Sequence, residues 1–452
     1  MRVHRAAAAV VAAAALLLGP ATAPAHAVPA PGTTLYVQSA VNGYAAADAQ
    51  GTLAAHRPKG NEDHQQWILG TAADGAVELR SADEAGRCLG RGGSQTVTVA
   101  CGDPAASWDA VPQDAGRYAL RAHDGSGYLT LQPPGSDGTH PAPLQVGADG
   151  PLARWYLTPA PLPTAPAPAP DQRTLDQVTF LTAHNAYANG VDGGFAPPFV
   201  NFFPNQSRGI SQQLADGVSG FMLDIHQTPD GAILCHDSCT LVSRPVALWV
   251  DLQRIVDFLR QHPGRFATVF LEDYVSTDVL GAELARVNGL GDLLYRPDQD
   301  GVRDHGWPSM AALAARGKQL MIFTDRTRAA DSADGRYRDA LGVMYQNEWT
   351  VENYWSMGSG AGSSDWSCYS RWYGIPLTRE EPAFHPLFVM NHFRDATLAA
   401  TASSDNSKLL NRAENFCDPA ARKKPTYVAV DRYDLGNPQS AVDRLNSYLV
   451  AP

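Results

Sequence analysis

The sequence predicts two folded units: an all-β unit with a threefold repeat, then an α/β unit whose parallel sheet curls into a barrel. Three observations carry this reading. Trp67, Trp108 and Trp155 recur at intervals of 41 and 47 residues, among short β-prone runs broken by Gly, Asp and Asn. Pro159 to Pro170 holds six prolines among alanines, a composition that separates units. Beyond it, continuous apolar runs alternate with segments of helical spacing, as in parallel strands buried on both faces.

The chain has 452 residues, 44% hydrophobic and 18% charged. It is too apolar to be wholly disordered and long enough for two or three domains. Its 35 Lys and Arg against 46 Asp and Glu leave a net charge of −11. Nucleic-acid binding and docking on anionic lipid through a broad basic face both need the opposite balance, so no nucleic-acid partner is expected.

Residues 1–27 read as a signal peptide. Arg2 and Arg5 precede the apolar run Ala6 to Leu18, and Ala25-His26-Ala27 fits a small-x-small cleavage site. The alternative is a short membrane anchor. No later stretch approaches the apolar length a membrane span needs, so a soluble, secreted, extracellular protein is expected; the sequence leaves its oligomeric state open, with a monomer the default. In that compartment six cysteines imply disulfides, and sequential order pairs Cys88 with Cys101, Cys235 with Cys239 and Cys368 with Cys417. Zinc is disfavoured because no two-residue cysteine spacing occurs.

The first unit spans 33–158. Thr34–Val37, Val97–Val99 and Tyr128–Thr130 read as strands. A threefold repeat of this length implies a β-trefoil in which each repeat donates a core aromatic. Gln65-Gln66-Trp67 resembles the Gln-x-Trp signature of ricin-type trefoils, and Gly86-Arg87-Cys88-Leu89 with Cys101 resembles their disulfide loop. Gly90 stands where sugar-binding repeats of that family often carry Asp. The tryptophans are therefore read as core; by its resemblance the unit is a candidate carbohydrate-binding module, with a glycan as candidate partner. Residues 159–172 form a Pro/Ala-rich linker, extended and semi-rigid, reaching roughly 35 Å at ~3.1 Å per residue.

The second unit spans 173–452. Val178–Thr182, Gly220–Ile225, Ala267–Leu271, Gln319–Thr324, Leu387–Asn391 and Tyr427–Val430 read as strands. Val250–Arg260, Leu280–Val287, Met310–Ala315, Leu409–Phe416 and Ala441–Leu449 read as helices. A TIM-type βα barrel is the closure expected. Chemically capable residues cluster just past the strands: His184 and Asn185, Asp224 and His226, His236 after the short run Ala232–Leu234, Glu272, Asp325, Asn391 and Asp431. Barrel strand ends share one rim, where active sites are built. Two imidazoles serve as general base and general acid across one centre. Carboxylates with an Asn oxygen suit a hard divalent cation. Together these fit transfer at a phosphodiester. No Gly-x-Ser-x-Gly elbow and no Walker loop occurs.

At these residues the second unit resembles the phosphatidylinositol-specific phospholipase C catalytic domain, and most closely its secreted bacterial and plant branch. The matching segments are Leu181-Thr182-Ala183-His184-Asn185-Ala186-Tyr187, Gly220-Phe221-Met222-Leu223-Asp224-Ile225, Leu234-Cys235-His236, Phe270-Leu271-Glu272-Asp273-Tyr274-Val275 and Val428-Ala429-Val430-Asp431. The resemblance implies a distorted βα barrel, a phospholipid substrate met at a membrane or micelle surface, and catalysis by His184, His236 and Asp224. Cyclic inositol phosphate and diacylglycerol would be the products. It implies Ca²⁺ held by Asn185, Asp224 and Glu272, and headgroup contacts from His226, Asp325, Asn391, Asp431 and Tyr433. Two departures stand out. Calcium-dependent members carry Glu where this chain has Met222, and metal-free members carry Asp and Arg where it has Asn185 and His226. A three-ligand site completed by water and phosphate is the expectation. The loop Phe195 to Phe203 is aromatic-rich and reads as a lipid-facing segment, a lid or packing.

Asp224 to Gly231, with His236-Asp237, also resembles glycerophosphodiester phosphodiesterases, which share the barrel. Their opening His-Arg-Gly and their Glu at position 222 are missing here. A third reading is a glycan-binding trefoil fused to a non-catalytic barrel.

Overall fold

The computed structural model describes residues 28–450 except 50–51, 57–62, 133–141, 193–203, 237–238, 240–245, 332–334 and 373. The expected signal peptide and the aromatic segment 195–203 lie outside the described residues.

In the first unit each repeat tryptophan follows a single 3₁₀ turn and opens a strand: Trp67–Thr71, Trp108–Pro112 and Trp155–Pro159. These pair antiparallel with Val77–Ser81, Tyr118–Ala122 and Thr34–Ser39. Three hairpins complete the twelve strands: Ala45–Ala49 with Thr52–His56, Arg87–Gly92 with Gln95–Ala100, and Tyr128–Leu131 with Ala142–Gly147. The three indoles are buried together in one core. Each N–H donates to a hairpin carbonyl, Trp67 to Ala46 at 2.9 Å, Trp108 to Leu89 at 3.0 Å and Trp155 to Leu129 at 2.8 Å. A buried indole is satisfied only with such an acceptor, so the threefold sequence repeat becomes a threefold hydrogen-bond repeat. The residues following those acceptors are Ala47, Gly90 and Thr130, none of them a carboxylate. A Cβ at Gly90 would stand 2.4 Å from a Val99 methyl, so no side chain fits there. Cys88 and Cys101 are bridged across their hairpin.

The Pro/Ala segment is held against the second unit at one point. Thr164–Pro166 pairs antiparallel with Tyr448–Val450, and Leu162 is buried. The two units also touch directly. The Arg422 guanidinium lies 4.1 Å from the Tyr156 ring centroid and donates to Thr158 Oγ1 at 3.0 Å. Thr158 in turn donates to Gln38, whose amide reaches the Ala420 carbonyl.

The second unit is built on eight parallel strands: β1 (Phe180–Ala183), β2 (Gly220–Thr228), β3 (Ala267–Tyr274), β4 (Leu320–Thr324), β5 (Val343–Tyr345), β6 (Thr350–Glu352), β7 (Leu387–His392) and β8 (Tyr427–Val430). Their order across the sheet is β5-β4-β3-β2-β1-β8-β7-β6. The first strand pairs with the last. Among the described residues no ladder joins β5 to β6, so the closed barrel expected from the sequence is open along that one seam. The sheet is nonetheless strongly curled. Phe270 on β3 meets Tyr427 on β8 at 4.9 Å, and Thr268 bonds the Tyr427 hydroxyl at 2.8 Å. Two strands stand between β3 and β8, and at ~4.8 Å per strand a flat sheet would hold them about 14 Å apart.

Helices cover the outer face. Leu248–Gln261 turns Leu248, Leu252, Ile255, Val256 and Leu259 inward at helical spacing. Thr277–Ala285 and Met310–Ala315 are capped by Ser276 and Ser309. Pro438–Leu445 closes the layer. The short run before His236, Gly231–Leu234, is the antiparallel return of β2 and not one of the eight strands. Cys235–Cys239 and Cys368–Cys417 are bridged as the sequential order anticipates. No helix among the described residues is long and apolar enough to cross a membrane.

Candidate active site

Side chains alternate faces along a strand, so the inner aromatics fix which later residues share their face. Met222, Phe270 and Phe323 lie in the inner cluster with Phe180, Val389 and Tyr427. Two residues on from the first three stand Asp224, Glu272 and Asp325. Stepping by two along β1, β7 and β8 reaches His184, Asn391 and Asp431, and stepping from Thr350 reaches Glu352. The C-terminal mouth of the sheet is therefore ringed by polar side chains. Asp224 is directly in register with Glu272. Leu271 is in register with Thr324, which sets Glu272 beside Asp325. Three carboxylates thus form one row over β2, β3 and β4.

His184 is held on three sides. Its Nδ1 lies 2.9 Å from Asp431 Oδ1, and its ring stacks on Phe393 with centroids 3.5 Å apart and planes within 6°. Its carbonyl accepts from Gln206 at 2.7 Å. Asp431 is buried, and it also accepts from Asn205 at 3.0 Å and from Thr397. These donors hold the carboxylate in place with Oδ1 facing the imidazole as an acceptor, so the contact is made by Nδ1–H. Nε2 is then the basic nitrogen of the ring.

The carboxylate row is electrostatically crowded. Burial, then the negative charge of Glu272, pushes Asp224 well above the usual carboxylate range. Burial and the neighbouring Glu272 and Asp273 push Asp325 up to about 6. Tyr187 donates to Asp224 Oδ2 at 3.0 Å, and the Tyr274 hydroxyl donates to Glu272. The cation acting on the row is Arg371, which lowers Asp224 and Asp325. It is itself bonded to Glu352 Oε1 at 2.9 Å.

Asn185 follows His184 in a left-handed turn (φ 43°), a conformation Asn tolerates better than most residues. Ala186 N–H bonds the Met222 carbonyl at 3.0 Å, which ties this turn to the Asp224 strand. The Asn185 side chain is 3% exposed and has no hydrogen-bond partner among the described residues. The buried Asp224, the half-buried Glu272 in register with it and the unpaired Asn185 amide are oxygen ligands of the kind a hard cation takes, so these residues fit Ca²⁺. Met222, where an acid would add charge, packs against the inner apolar cluster instead.

His226 stacks on Tyr274 at 4.5 Å, one step beyond the row on the same face. His236 is exposed, past the hairpin strand, and Cys235 N–H bonds the Asp224 carbonyl at 3.3 Å, bringing the hairpin end to β2. Asn391 donates to Glu352 Oε1 at 2.7 Å. Tyr433 is not brought to the site. It packs among the outer core and donates to Asp216 at 2.6 Å. Asp431 supports His184 rather than facing the open mouth. Asp273, adjacent to Glu272, points the other way and pairs with buried Arg338.

Sequence reading missed Glu352, Arg371, Phe393, Asn205 and Thr397. Phe393 carried one usable signal, its place two residues past Asn391 on the same face. Glu352 ends a three-residue strand too short for any period to be seen.

Residues 172–353 match the family model described as PI-PLC X 1. That span runs from the end of the linker through β6 and holds His184, Asp224, His236, Glu272 and Asp325. The chain is 26% identical over 291 residues to a PI-PLC X domain-containing protein of Arabidopsis thaliana, covering 63% of this chain and 65% of that protein. It is 24% identical over 290 residues to an uncharacterized secreted protein of Arthroderma benhamiae, covering 60% of each. The chain thus spans less than two thirds of the length of these curated relatives. Among solved structures it is similar to a Macrolepiota procera ricin B-like lectin in complex with lactose, at 19% identity and TM-score 0.25 over 29% of this chain and 98% of that one. It is also similar to SeviL bound to asialo-GM1 saccharide, at 21% identity and TM-score 0.24 over 28% and 98%.

Proposed function

We propose that the second unit is a secreted phosphodiesterase of the phospholipase C type, a βα barrel cleaving phosphatidylinositol-type lipids at a membrane or micelle surface. The supporting observation is the His184–Asp431 pair beside the Asp224–Glu272–Asp325 row. His184 Nε2 takes the proton of the inositol 2-hydroxyl. That oxygen attacks phosphorus, and the bond to the glycerol oxygen breaks. His236 gives its proton to the departing diacylglycerol oxygen, and a cyclic phosphodiester remains. Water opens the ring with the two imidazoles exchanging roles. The attacking hydroxyl belongs to the substrate, so little entropy opposes the first step.

An anionic phosphodiester does not approach three carboxylates unaided. Asn185, Asp224 and Glu272 would hold Ca²⁺, whose positive charge would offset the phosphoryl oxygens. His226 and Asn391 take the headgroup side, and Asp431 acts as a positioning residue through His184. For the first unit the reading is a β-trefoil that docks the enzyme on a glycan-bearing surface, supported by its threefold repeat and Gln65-Gln66-Trp67.

The test is headgroup release from phosphatidylinositol micelles by the purified mature protein, with calcium and with a chelator. Release with calcium, and its loss on chelation, is expected. Release that survives chelation removes calcium from the account. No release in either condition removes phosphatidylinositol as substrate.

A further inference from the structure

The cation reading leaves a deficit, because Asp224 and Glu272 provide two carboxylates where Met222 withholds a third. We infer that Asp325, from β4, is the third carboxylate of the calcium site and supplies the charge that position 222 lacks. The inference rests on the calcium reading above.

Three observations carry it. First, Asp325 closes the row. Asp224 faces Glu272 in direct register, and the Leu271–Thr324 pair puts Asp325 beside Glu272 on the other flank. The row is continuous over three adjacent strands, on the face that carries Met222, Phe270 and Phe323 one layer deeper. Second, Asn185, a residue only 3% exposed, has no side-chain partner among the described residues and sits on the turn tied to the Asp224 strand. An oxygen donor without a partner therefore flanks the row at its β2 end. Third, Asp325 has a spare oxygen. Oδ1 accepts the Asp273 N–H at 3.0 Å, and no bond to Oδ2 is seen among the described residues.

The balance of charge points the same way. Arg371 is bonded to Glu352, so that pair is neutral as a unit. Among the described residues no Lys, Arg or His is bonded to Asp224, Glu272 or Asp325, so the row has no counter-ion of its own. Calcium affinity follows ligand charge count, and a third carboxylate on the opposite flank restores the count that Met222 reduces. Inner-face position 222 and Asp325 would thus be alternative sources of one charge.

The experiment is calorimetric titration of Ca²⁺ into the full secreted chain without substrate, for wild type, Asp325→Asn, Asp224→Asn and the double variant Met222→Glu/Asp325→Asn. Asn keeps the oxygen that accepts the Asp273 N–H, so the Asp325→Asn variant retains its backbone bond, and an unchanged apo melting temperature checks this. The expected result is a Ca²⁺ affinity lowered by about tenfold or more in Asp325→Asn and recovered in the double variant. Wild-type affinity in Asp325→Asn, with binding abolished in Asp224→Asn, overturns the inference and leaves the calcium reading intact. Absence of Ca²⁺ binding by the wild type overturns both.

Discussion

His184 Nδ1 and Asp431 Oδ1 lie 2.9 Å apart across 247 residues of sequence. The two residues extend adjacent parallel strands, β1 and β8, that pair from Phe180 with Tyr427 to Ala183 with Val430. The contact therefore exists only where the end of the chain folds back onto its first parallel strand. It gives the imidazole one tautomer and one orientation, with the Phe393 ring as its floor.

Replacement of Asp431 by Asn should lower activity by misplacing the His184 proton while leaving lipid binding intact. The expected signature is a fall in kcat with little change in KM, partly restored in Asp431→Glu. A purely structural role would instead lower the melting temperature and leave kcat of the folded protein unchanged.

His392, one residue past Asn391, is buried against Arg412, with Nε2 3.0 Å from the Asp405 carbonyl oxygen. Burial, then the Arg412 charge, lowers its pKa from 6.5 to about 3. A histidine held neutral in the fold takes its proton first in the unfolded chain. Its contribution to stability is complete above about pH 6.5 and is lost as pH falls towards 3, by a few kcal/mol in all. Urea titrations at pH 7 and pH 5 should show the drop, and His392→Gln should flatten it whatever its effect at pH 7.

Much of this fold is legible in the sequence, and the gaps have physical causes. Six strands of the curled sheet announce themselves as continuous apolar runs. β5 and β6, at three residues each, are too short to show any period, so the open seam between them and Glu352 beside it stay hidden. The tryptophan interval foretells the threefold core because each indole does the same structural task. The Pro/Ala segment reads as an extended, semi-rigid linker, and composition cannot reveal that Thr164–Pro166 pairs with the last strand. Tyr433 follows a rim residue in sequence, yet a turn carries it outward to Asp216. The strand end of β8 places Asp431 at the rim, and only the fold shows that it serves His184.

The indole hydrogen bonds of the first unit predict a graded stability series. Trp108→Ala should cost about 3–5 kcal/mol through lost burial and cavity formation. Trp108→Phe keeps most of the bulk but strands the Leu89 carbonyl, at about 1–3 kcal/mol. Chemical denaturation followed by intrinsic fluorescence separates the two.

Arg422 joins the units through Tyr156 and Thr158. Arg422→Ala should weaken that contact by about 1–3 kcal/mol. Calorimetry should then resolve two unfolding transitions where the wild type unfolds with the units coupled, and limited proteolysis should cut faster within 159–172.

The most direct test of the central claim is phosphorus NMR of the product formed from phosphatidylinositol by the wild-type protein and by His184→Ala. The account predicts a cyclic phosphodiester signal from the wild type, preceding its slower conversion to inositol phosphate. It predicts a rate lower by roughly 10²–10⁴-fold in the variant. A wild-type protein that releases acyclic phosphate from the outset, or a variant that forms the cyclic product at an undiminished rate, would contradict it.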